Sequence, residues 1–414
     1  MVNGMRLRSG EPIWLVRKAT RPPKYPSLSG SHDADVVIVG GGITGAAIAH
    51  LLAEAGVRVI LLEAGRVGRG STAASSALLM QETDETLVAL QERYGRARAN
   101  RIWTLSHEAT RNLIGTLRRL RVPVEERETV YYTTSSDAAA ALHQECDRRR
   151  RGGFSATWMS PSALLSVTGV EGAGAIRSHG NAQCDPYRAC LALLEAASRN
   201  GAGIFERGRA VRVERTRAGV TIRTSRGRVS ASRVIIATGY ATRDFKPLAG
   251  RFEMKHTYVL ATRPVAGRQR RTIGLGNVLL WDTERPYHYV RWTNDGRLLL
   301  GGGDRPLVPP ARRRRAFAEG TMQLHEEFQQ LLPALKDIPL ARAWEGLFAM
   351  TPDGLPYIGT HRHYPRHLFA LGYGGNGMTF GFLAARLLLD IVRGNPNPDI
   401  DLFAFNRFRR SRSG

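Results

Sequence analysis

Cysteine, lysine and long apolar runs are scarce in this chain of 414 residues. Its three cysteines form no Cys-x-x-Cys pair, so the sequence indicates neither a metal site nor a disulfide scaffold, and such sparse usage is typical of a reducing compartment. No apolar run reaches the ~20 residues of a transmembrane helix, and residues 1–30 lack the apolar core of a signal peptide. We therefore expect a soluble, cytoplasmic protein without a membrane span.

The chain is strongly basic: Lys and Arg number 60 against 36 Asp and Glu, which gives a formal net charge of +24. Such a balance can indicate binding to nucleic acid or to an anionic surface. Only five of the basic residues are lysines, however, and the arginines are spread along the whole chain. We interpret the charge as a compositional bias and do not expect a nucleic-acid partner.

The most informative motif lies in residues 35–65, which read DVVIVGGGITGAAIAHLLAEAGVRVILLEAG. An apolar strand, the glycines Gly40-x-Gly42-x-x-Gly45, a helix and a second apolar strand follow one another in about 30 residues. Gly40 permits a tight turn, Gly42 lets the backbone approach a pyrophosphate, and Gly45 lets the helix pack closely on the strand. The helix N-terminus presents N–H groups and partial positive charge to the phosphates. This combination predicts a dinucleotide-binding βαβ unit.

The second strand of this unit ends at Glu63, 21 residues after Gly42. Its carboxylate can accept hydrogen bonds from both hydroxyls of an adenosine ribose. The same negative charge disfavours a 2′-phosphate by repulsion, which excludes NADP and leaves FAD or NAD.

Three further segments favour FAD over NAD. Residues 65–80 (GRVGRGSTAASSALLM) are rich in small and hydroxyl side chains, and residues 234–240 (VIIATGY) form a strand that ends in Ala-Thr-Gly. Residues 368–382 (LFALGYGGNGMTFGF) predict a strand, a Gly-rich loop and a long helix. A second helix N-terminus behind glycines suits the negative charge that collects on a reduced flavin, a demand that a nicotinamide enzyme does not make.

These motifs make the chain resemble the D-amino-acid oxidase family of FAD oxidoreductases, which includes glycine oxidase, sarcosine oxidase and γ-glutamylputrescine oxidase. The resemblance covers roughly residues 14–391, and the opening of the chain looks most like the putrescine-pathway amine oxidases. It is carried by IVGGGITG (38–45), LLEAGRVGRGST (61–72), CDPYRACLALLEAASRNGAGIFE (184–206), VIIATG (234–239), YVRWTNDGRLLLGGGD (289–304), GLFAMTPDGLPYIG (346–359) and GYGGNGMTFG (372–381).

The resemblance implies an α/β + β fold in which a Rossmann-type FAD-binding domain is interleaved with an antiparallel-sheet substrate domain. The predicted FAD-binding domain comprises 33–85, 155–242 and 335–395, the substrate domain 86–154 and 243–334, the N-terminal arm 1–32, and the basic tail 396–414. The sequence patterns agree, with helical spacing at 86–121 and 137–151 and strand alternation at 204–237 and 252–304. Asn294-Asp295-Gly296 predicts a hairpin turn, Asp353 a turn in TPDG, and the tail is expected to fray from Arg407.

The motifs and the resemblance together assign the FAD contacts. The predicted cofactor-binding residues are Gly40, Gly42, Ile43, Thr44, Gly45, Glu63, Ala64, Gly70, Ser71, Thr72, Val211, Ala237, Thr238, Gly239, Gly374, Gly375, Gly377, Met378 and Thr379, with adenine near Val211. Relatives attach flavin through a cysteine or a histidine at positions that are Gly346 and Ala74 here. We therefore expect the FAD to be non-covalent.

The substrate is indicated by where the chain departs from the family pattern. Glycine and D-amino-acid oxidases bind the substrate carboxylate with an arginine of an Arg-Pro pair, but here the pair is Phe348 and Ala349. Sarcosine oxidases use a lysine where this chain has Thr379, and an arginine in the segment that is 75–79 here, which contains no basic residue. We therefore expect an amine, N-alkyl or acylated polyamine-like substrate rather than a small free amino acid.

The candidate catalytic residues lie on strands and loops that, by resemblance, surround the flavin. They are Tyr289, Arg291, Tyr373, Asn376 and His256. Strand alternation places Tyr287, Tyr289 and Arg291 on one face and His288 on the other. Arg291 is a candidate for holding positive charge near the flavin, and Tyr373 and Asn376 lie in the Gly-rich loop beside the expected ring; a structural role remains the alternative for Arg291 and His256.

The predicted function is FAD-dependent oxidation of the C–N bond of an amine or amino-acid-like substrate to an imine, with hydride transfer to flavin N5 and with O₂ or a protein or quinone as electron acceptor. One alternative is a D-amino-acid, glycine or sarcosine-type oxidase with an atypical carboxylate site. Others are a flavoprotein acting on a modified tRNA nucleoside, a non-catalytic assembly-factor-like flavoprotein, and an NAD-dependent dehydrogenase, which would lack flavin absorbance.

Overall fold

The computed structural model describes residues 7–16, 22–241, 245–248 and 250–408. The strands are β1 (Arg8–Gly10), β2 (Gly30–Val39), β3 (Val59–Leu62), β4 (Leu78–Leu79), β5 (Val124–Thr133), β6 (Thr157–Met159), β7 (Gly174–Cys184), β8 (Gly203–Phe205), β9 (Arg212–Arg215), β10 (Val220–Arg223), β11 (Gly227–Gly239), β12 (Glu253–Thr262), β13 (Val278–Asp282), β14 (His288–Trp292), β15 (Leu298–Pro306), β16 (Leu340–Met350), β17 (Tyr357–His361) and β18 (Tyr364–Leu371). The helices are α1 (Ile13–Val16), α2 (Ile43–Glu54), α3 (Ser71–Ala74), α4 (Leu87–Tyr94), α5 (Arg96–Arg119), α6 (Ser136–Arg151), α7 (Pro161–Thr168), α8 (Pro186–Arg199), α9 (Gly267–Ile273), α10 (Arg313–Leu331) and α11 (Gly377–Arg393). Within these described ranges, no helix is both long and apolar enough to cross a membrane.

An eight-stranded sheet carries the predicted dinucleotide unit, with the strand order β17-β18-β11-β2-β3-β8. The strands from β18 to β8 run parallel, and β9 and β10 extend β11 as an antiparallel meander. Parallel strands are buried on both faces, which is why Val37 and Ile38 are adjacent, apolar and both fully buried. Apolar residues of α2, α8 and α11, among them Ile48, Leu194 and Leu388, join one core cluster with this sheet.

The ten-stranded sheet has the order β1-β16-β12-β15-β14-β13-β5-β7-β4, with β6 paired to β7. Its neighbours are antiparallel except for β13 and β5, which are parallel, so the sheet is mixed rather than purely antiparallel as the sequence led us to expect. The predicted hairpin turn is confirmed between β14 and β15, where Gly296 has a φ of +79°. One face of the sheet is covered by α10, whose Leu324 and Phe328 are buried in its core.

Strand pairing crosses the predicted domain boundaries. The strands β7 and β16, both within the ranges predicted for the FAD-binding domain, pair with β5 and β12 in the ten-stranded sheet. The arm predicted at 1–32 also joins this sheet, because β1 pairs with β16 and the indole of Trp14 donates to the Ser75 carbonyl. The division into domains therefore remains a prediction whose ends do not coincide with the ends of the sheets.

The C-terminal segment packs against the eight-stranded sheet instead of fraying from Arg407. Phe403 is fully buried and Phe405 stacks on Tyr357 with 4.8 Å between ring centroids. The Arg407 side chain is buried against the carboxylate of Asp353, and this buried pair gives the segment a fixed position. The prediction of fraying from Arg407 was wrong for residues 407–408, and residues 409–414 lie outside the described ranges.

Candidate active site

A cavity of about 840 Å³ is lined by residues of both sheets and by the loops at the ends of their strands. Hydrogen bonds connect the segments that line it. Glu63 accepts from Gly41 N–H at 2.8 Å. The next links are Ile43 N–H to Thr72 Oγ1 (2.9 Å), Ser71 Oγ to Leu347 O (2.9 Å), Gly374 N–H to Ala349 O (3.1 Å) and Gly375 N–H to Asp84 Oδ2 (2.7 Å). These hydrogen bonds connect the Glu63 carboxylate at the end of β3 with the Asp84 carboxylate beside the Gly-rich loop, and both residues line the cavity.

The Gly-x-Gly-x-x-Gly turn provides bare backbone along one wall. Gly40 has a φ of +117°, and a Cβ there would lie 2.5 Å from the Ala237 carbonyl oxygen. A Cβ at Gly45 would lie 1.9 Å from the Gly40 carbonyl oxygen, so only glycine lets α2 approach the end of β2 this closely. The close helix–strand packing that the sequence predicted at Gly45 is confirmed, and it leaves Gly45 outside the cavity lining.

The Glu63 carboxylate stands at the end of β3 and is held by two backbone donors. Its Oε2 accepts from Gly41 N–H and its Oε1 from Gly65 N–H, at 2.8 and 2.7 Å. Burial raises the pKa of Glu63, and these two hydrogen bonds act against that rise. A carboxylate fixed in this way keeps further lone pairs for a polar ligand at this end of the cavity.

Two helices begin at the cavity without a side-chain cap. The N-cap residue of α2 is Gly42, which has no side chain, and that of α11 is Asn376, whose side chain makes no capping hydrogen bond. Helix starts of this kind carry partial positive charge and N–H groups that suit phosphates or a developing anion. The uncapped starts, the bare glycine wall and the fixed Glu63 carboxylate fit an elongated dinucleotide such as FAD.

Beyond the Gly-rich loop, the cavity ends in a region that we call the aromatic chamber, formed by Trp281, Tyr287, Tyr289 and Phe348 together with Glu82, Asp84 and Arg285. Trp281 and Tyr289 are paired across β13 and β14. The Trp281 ring also stacks on Tyr131 at 3.8 Å, which fixes its plane. A Cβ at Gly375 would lie 2.5 Å from the Tyr287 hydroxyl, so this phenol lies directly against the Gly-rich loop.

The carboxylates near the aromatic chamber lie in an unfavourable electrostatic setting. Burial raises the pKa of Asp84 to about 7; the N–H of Gly375 opposes this rise, and the negative charges of Glu85 and Asp304 add to it. Burial likewise raises the pKa of Asp304 to about 6. Burial together with the Asp304 charge raises the pKa of Tyr289 to about 12, so this phenol stays protonated at neutral pH.

Most of the residues predicted to contact FAD or substrate line this single cavity. They are Gly40, Gly42, Ile43, Thr44, Glu63, Ala64, Gly70, Ser71, Thr72, Val211, Ala237, Thr238, Gly239, Gly374, Gly375, Gly377 and Met378, together with Tyr289, Tyr373 and Asn376. Val211 is half exposed, and its N–H already donates to the Arg223 carbonyl at 2.7 Å.

Arg291, His256 and Thr379 were also predicted at the site, but they are not among the residues that line this cavity. Arg291 is 2% exposed and donates to the carbonyls of Ser76 and Cys184, beyond the point where β14 leaves the cavity. His256 lies on the face of β12 opposite to the lining residue Thr257, with Nδ1 3.2 Å from Glu345. Thr379 is fully buried and donates to the Met80 carbonyl at 2.9 Å.

Tyr373 and Asn376 line the cavity, but their polar groups are used within the protein. The Tyr373 hydroxyl donates to the Ala370 carbonyl. The Asn376 amide donates to the carbonyl of Glu82, which ties the segment after β4 to the Gly-rich loop. The donor groups of both side chains therefore bond to backbone carbonyls and help to build the wall of the site.

Sequence reasoning missed the polar residues of the aromatic chamber. Glu82 and Asp84 directly follow the segment 65–80 in which a second approach to the cofactor was predicted, so the acidic run after Met80 was an available signal. Trp281 and Arg285 carry no comparable signal, because they reach the chamber only through the pairing of β13 with β14.

The comparisons with known proteins agree with this geometry. The family model described as FAD dependent oxidoreductase (DAO) matches residues 35–391. The chain belongs to this family, and it is an FAD-dependent oxidoreductase.

Individual relatives are similar over nearly their full length. The chain is 26% identical over 390 residues to γ-glutamylputrescine oxidoreductase of Escherichia coli (strain K12), covering 92% of this chain and 89% of that protein. It is 27% identical over 372 residues to glycine oxidase of Bacillus subtilis (strain 168), covering 86% and 92%. Among solved structures, glycine oxidase from Geobacillus kaustophilus matches with a TM-score of 0.74 at 24% identity over 92% of this chain and 100% of that chain, which supports the fold.

Proposed function

We propose that this flavoenzyme oxidises the C–N bond of an amine that binds as a cation, and not that of a small free amino acid. The observation that carries this proposal is the charge of the aromatic chamber. Glu82 and Asp84 line it, and Arg285 is the single cation among the described residues that form it. Acids and aromatic faces attract an ammonium group through Coulomb and cation–π interactions.

The positions that would bind a carboxylate in amino-acid oxidases support the same conclusion. Phe348 and Ala349 line the cavity without a positive charge, and Thr379 lies outside it, fully buried. A substrate carboxylate placed against Phe348 would lose water without gaining a charged partner, which is costly. An alkyl or acylated polyamine chain would instead gain contact with the apolar ring.

FAD bound in this cavity would supply a two-electron acceptor for the hydride that leaves the carbon carrying the amine. The residues around Gly42, Thr72 and Glu63 would hold the dinucleotide, and Leu347 and Gly377 would flank the flavin. The rings of Tyr287 and Tyr289 would exclude water and hold the amine-bearing carbon in place. The protein therefore contributes binding, orientation and electrostatics.

We further propose that the FAD is held without a covalent bond. Gly346 and Ala74 both line the cavity, and a Cβ at Gly346 would lie 2.8 Å from the Ala74 methyl group. Neither position has a nucleophile. The three cysteines, all within the described ranges, are buried and do not line the cavity. Acid precipitation tests this, because yellow colour that stays with the pellet would contradict it.

A second candidate is an amino acid or acylated amine whose carboxylate binds Arg285. The Arg285 guanidinium lies 5.9 Å from the centre of the Tyr287 ring at the exposed side of the chamber. Its Nη1 donates to the carbonyls of Thr283 and Glu284 and so leaves other donors for a ligand. The variant Arg285→Met separates the two candidates, since it raises the KM of a carboxylate-bearing substrate and spares a simple diamine.

The direct test is anaerobic reduction of the FAD-loaded enzyme by a panel of monoamines, diamines and amino acids. We expect loss of the yellow colour with amines, at a rate that exceeds that with glycine, sarcosine or D-alanine. Admission of air then shows whether O₂ is an efficient electron acceptor. A higher kcat/KM for the amino acids than for the amines would contradict the proposal.

A further inference from the structure

Asp84 stands at the point where the aromatic chamber meets the Gly-rich loop. Its Oδ2 accepts from Gly375 N–H at 2.7 Å, and a Cβ at Gly374 would lie only 1.9 Å from that oxygen. The glycines of the loop therefore close around one side of the carboxylate. Its Oδ1 accepts no hydrogen bond from the described residues, and Asp84 lines the cavity.

Two other lining residues have polar atoms that lack partners. Glu82 is 3% exposed and its Oε2 has no hydrogen-bond partner, while Trp281 is 8% exposed and its Nε1 has none. Buried polar atoms are costly to leave unpaired, and such atoms in the wall of a cavity indicate a polar ligand. The chamber that contains Asp84 therefore has acceptors and a donor for a substrate.

The charged and titratable groups that face Asp84 come from three segments. Glu85 follows it in sequence, Asp304 lies on β15, and Arg285 precedes β14, as does the phenol of Tyr287. Two of these groups are acidic and one is basic, and burial adds to the cost of a negative charge on Asp84. Burial with these charges raises the pKa of Asp84 to about 7, so the carboxyl can exchange a proton at neutral pH.

An aliphatic amine needs a base before it can be oxidised. Its pKa is close to that of a lysine side chain, about 10.4, so fewer than about one molecule in a thousand is neutral at pH 7. The ammonium form has no lone pair to support departure of hydride from the neighbouring carbon. Among the groups of the chamber, the phenols stay protonated and Arg285 cannot accept a proton, which leaves the carboxylates of Glu82 and Asp84. Glu82 is 3% exposed and its Oε1 already accepts from Thr129 Oγ1 at 2.7 Å, so the partly exposed Asp84 is the more accessible of the two.

We propose, on the basis of the proposed function, that Asp84 binds the substrate ammonium through Oδ1 and removes one of its protons before the C–N bond is oxidised. The N–H bond breaks, its electron pair stays on nitrogen as a lone pair, and an O–H bond forms on Asp84. No oxidant is consumed in this step. Asp84 is then a catalytic residue outside the dinucleotide motif and the Gly-rich loop.

The test compares Asp84→Asn with Glu85→Gln. The asparagine can still accept from Gly375 N–H but cannot take a proton. Glu85→Gln removes one negative charge at the neighbouring residue, which does not line the cavity. For the wild type, we expect kcat/KM for anaerobic flavin reduction to rise with pH through an apparent pKa near 7. Asp84→Asn should lower it by about 10²–10⁴-fold at pH 7 and replace that limb by a steady rise toward the amine's own pKa. Glu85→Gln should stay within about threefold of the wild type.

A binding measurement provides a readout apart from turnover. tert-Butylamine has no hydrogen on the carbon next to nitrogen, so it can occupy the chamber but cannot be oxidised. Its dissociation constant, read from the shift of the flavin absorbance, should rise by about 10–100-fold in Asp84→Asn at pH 8 and stay unchanged in Glu85→Gln.

The outcomes separate this inference from the proposed function. If no amine reduces the wild type, the proposed function fails and the inference with it. If amines reduce the wild type but Asp84→Asn keeps its pH limb and its affinity for tert-butylamine, the role of Asp84 alone is overturned. If Asp84→Asn does not retain FAD, the pH profile of the wild type decides. A wild-type kcat/KM that does not rise through a pKa near 7 overturns the inference.

Discussion

Arg407 and Asp353 form a bidentate ion pair in which both side chains are completely buried. Arg407 Nε donates to Oδ2 and Nη2 to Oδ1, each at 2.7 Å, and side-chain exposure is 0% for both residues. The Tyr94 hydroxyl donates to the same carboxylate at 2.5 Å. The pair joins the C-terminal segment to the turn after β16, so a residue that the sequence assigned to a loose tail is part of the core.

Loss of this pair should be strongly destabilising. We expect Arg407→Ala to lower the free energy of unfolding by about 3–5 kcal/mol, because it leaves a buried carboxylate without its counter-charge. The control is Arg101→Ala, since Arg101 pairs with Asp399 at the surface. Such an exposed ion pair contributes about 0–1 kcal/mol to the free energy of unfolding. Urea unfolding of both variants measures the difference, and equal losses would show that the buried pair is not structural.

The close approach of α2 to β2 can be tested with two glycines in helices. Gly45→Ala would bring a Cβ to 1.9 Å from the Gly40 carbonyl oxygen, so backbone must move and we expect a loss of about 3 kcal/mol or more together with lower FAD content. Gly115 in α5 has nothing within 4 Å of its Cβ position, and Gly115→Ala should stabilise the protein by about 0.5–1 kcal/mol. If Gly45→Ala leaves the free energy of unfolding and the FAD content unchanged, the turn adapts more than the packing suggests.

The dinucleotide motif could be predicted because its parts are close in sequence. Gly40, Gly42, Gly45 and Glu63 lie within one βαβ unit, and local strand and helix patterns determine where each of them faces. The second helix start, at Gly377, was predictable for the same reason.

The substrate end could not be predicted in the same way, because it is assembled from distant segments. Asp84, Trp281 and Arg285 meet only after strands far apart in the chain have paired. Alternation along β14 predicts Tyr289 and Arg291 on one face, yet it cannot tell where the cavity ends, and only Tyr289 lines it. The same holds for His256: its strand was predicted from the sequence, but the sequence does not tell that His256 lies on the face turned away from the cavity.

Glu63 should control FAD affinity. Glu63→Gln replaces one carboxylate oxygen by an NH₂ group that cannot accept from a backbone N–H, and so disturbs the link to Gly41 or Gly65. We expect the FAD dissociation constant to rise by about 10–100-fold. Asp35→Asn is the control, because Asp35 pairs with the exposed Arg58 at 2.6 Å near the far end of the same sheet. Flavin fluorescence titration measures the FAD dissociation constant of both variants. Equal FAD affinity of Glu63→Gln and the wild type would contradict the role of Glu63 in FAD binding.

The stability of the protein should depend on pH through Asp84. Its pKa is raised from 3.8 when unfolded to about 7 when folded, so the native state prefers the protonated carboxyl. The contribution of Asp84 to the free energy of unfolding is therefore fully present below pH ~4 and is lost as the pH rises toward ~7 and beyond. Asp84→Asn removes this loss, and its Tm should equal that of the wild type at pH 4 and exceed it at pH 8. A Tm difference that does not change with pH would contradict the electrostatic account.

Stopped-flow reduction of the FAD-loaded wild-type enzyme without oxygen, by a diamine and by glycine in parallel across pH 6–9, is the decisive experiment on the substrate class and on Asp84. We predict that the diamine bleaches the flavin faster at every pH and that its kcat/KM rises through an apparent pKa near 7, as expected for the raised pKa of the Asp84 carboxyl. Faster reduction by glycine, or no reduction by any amine, would contradict the account.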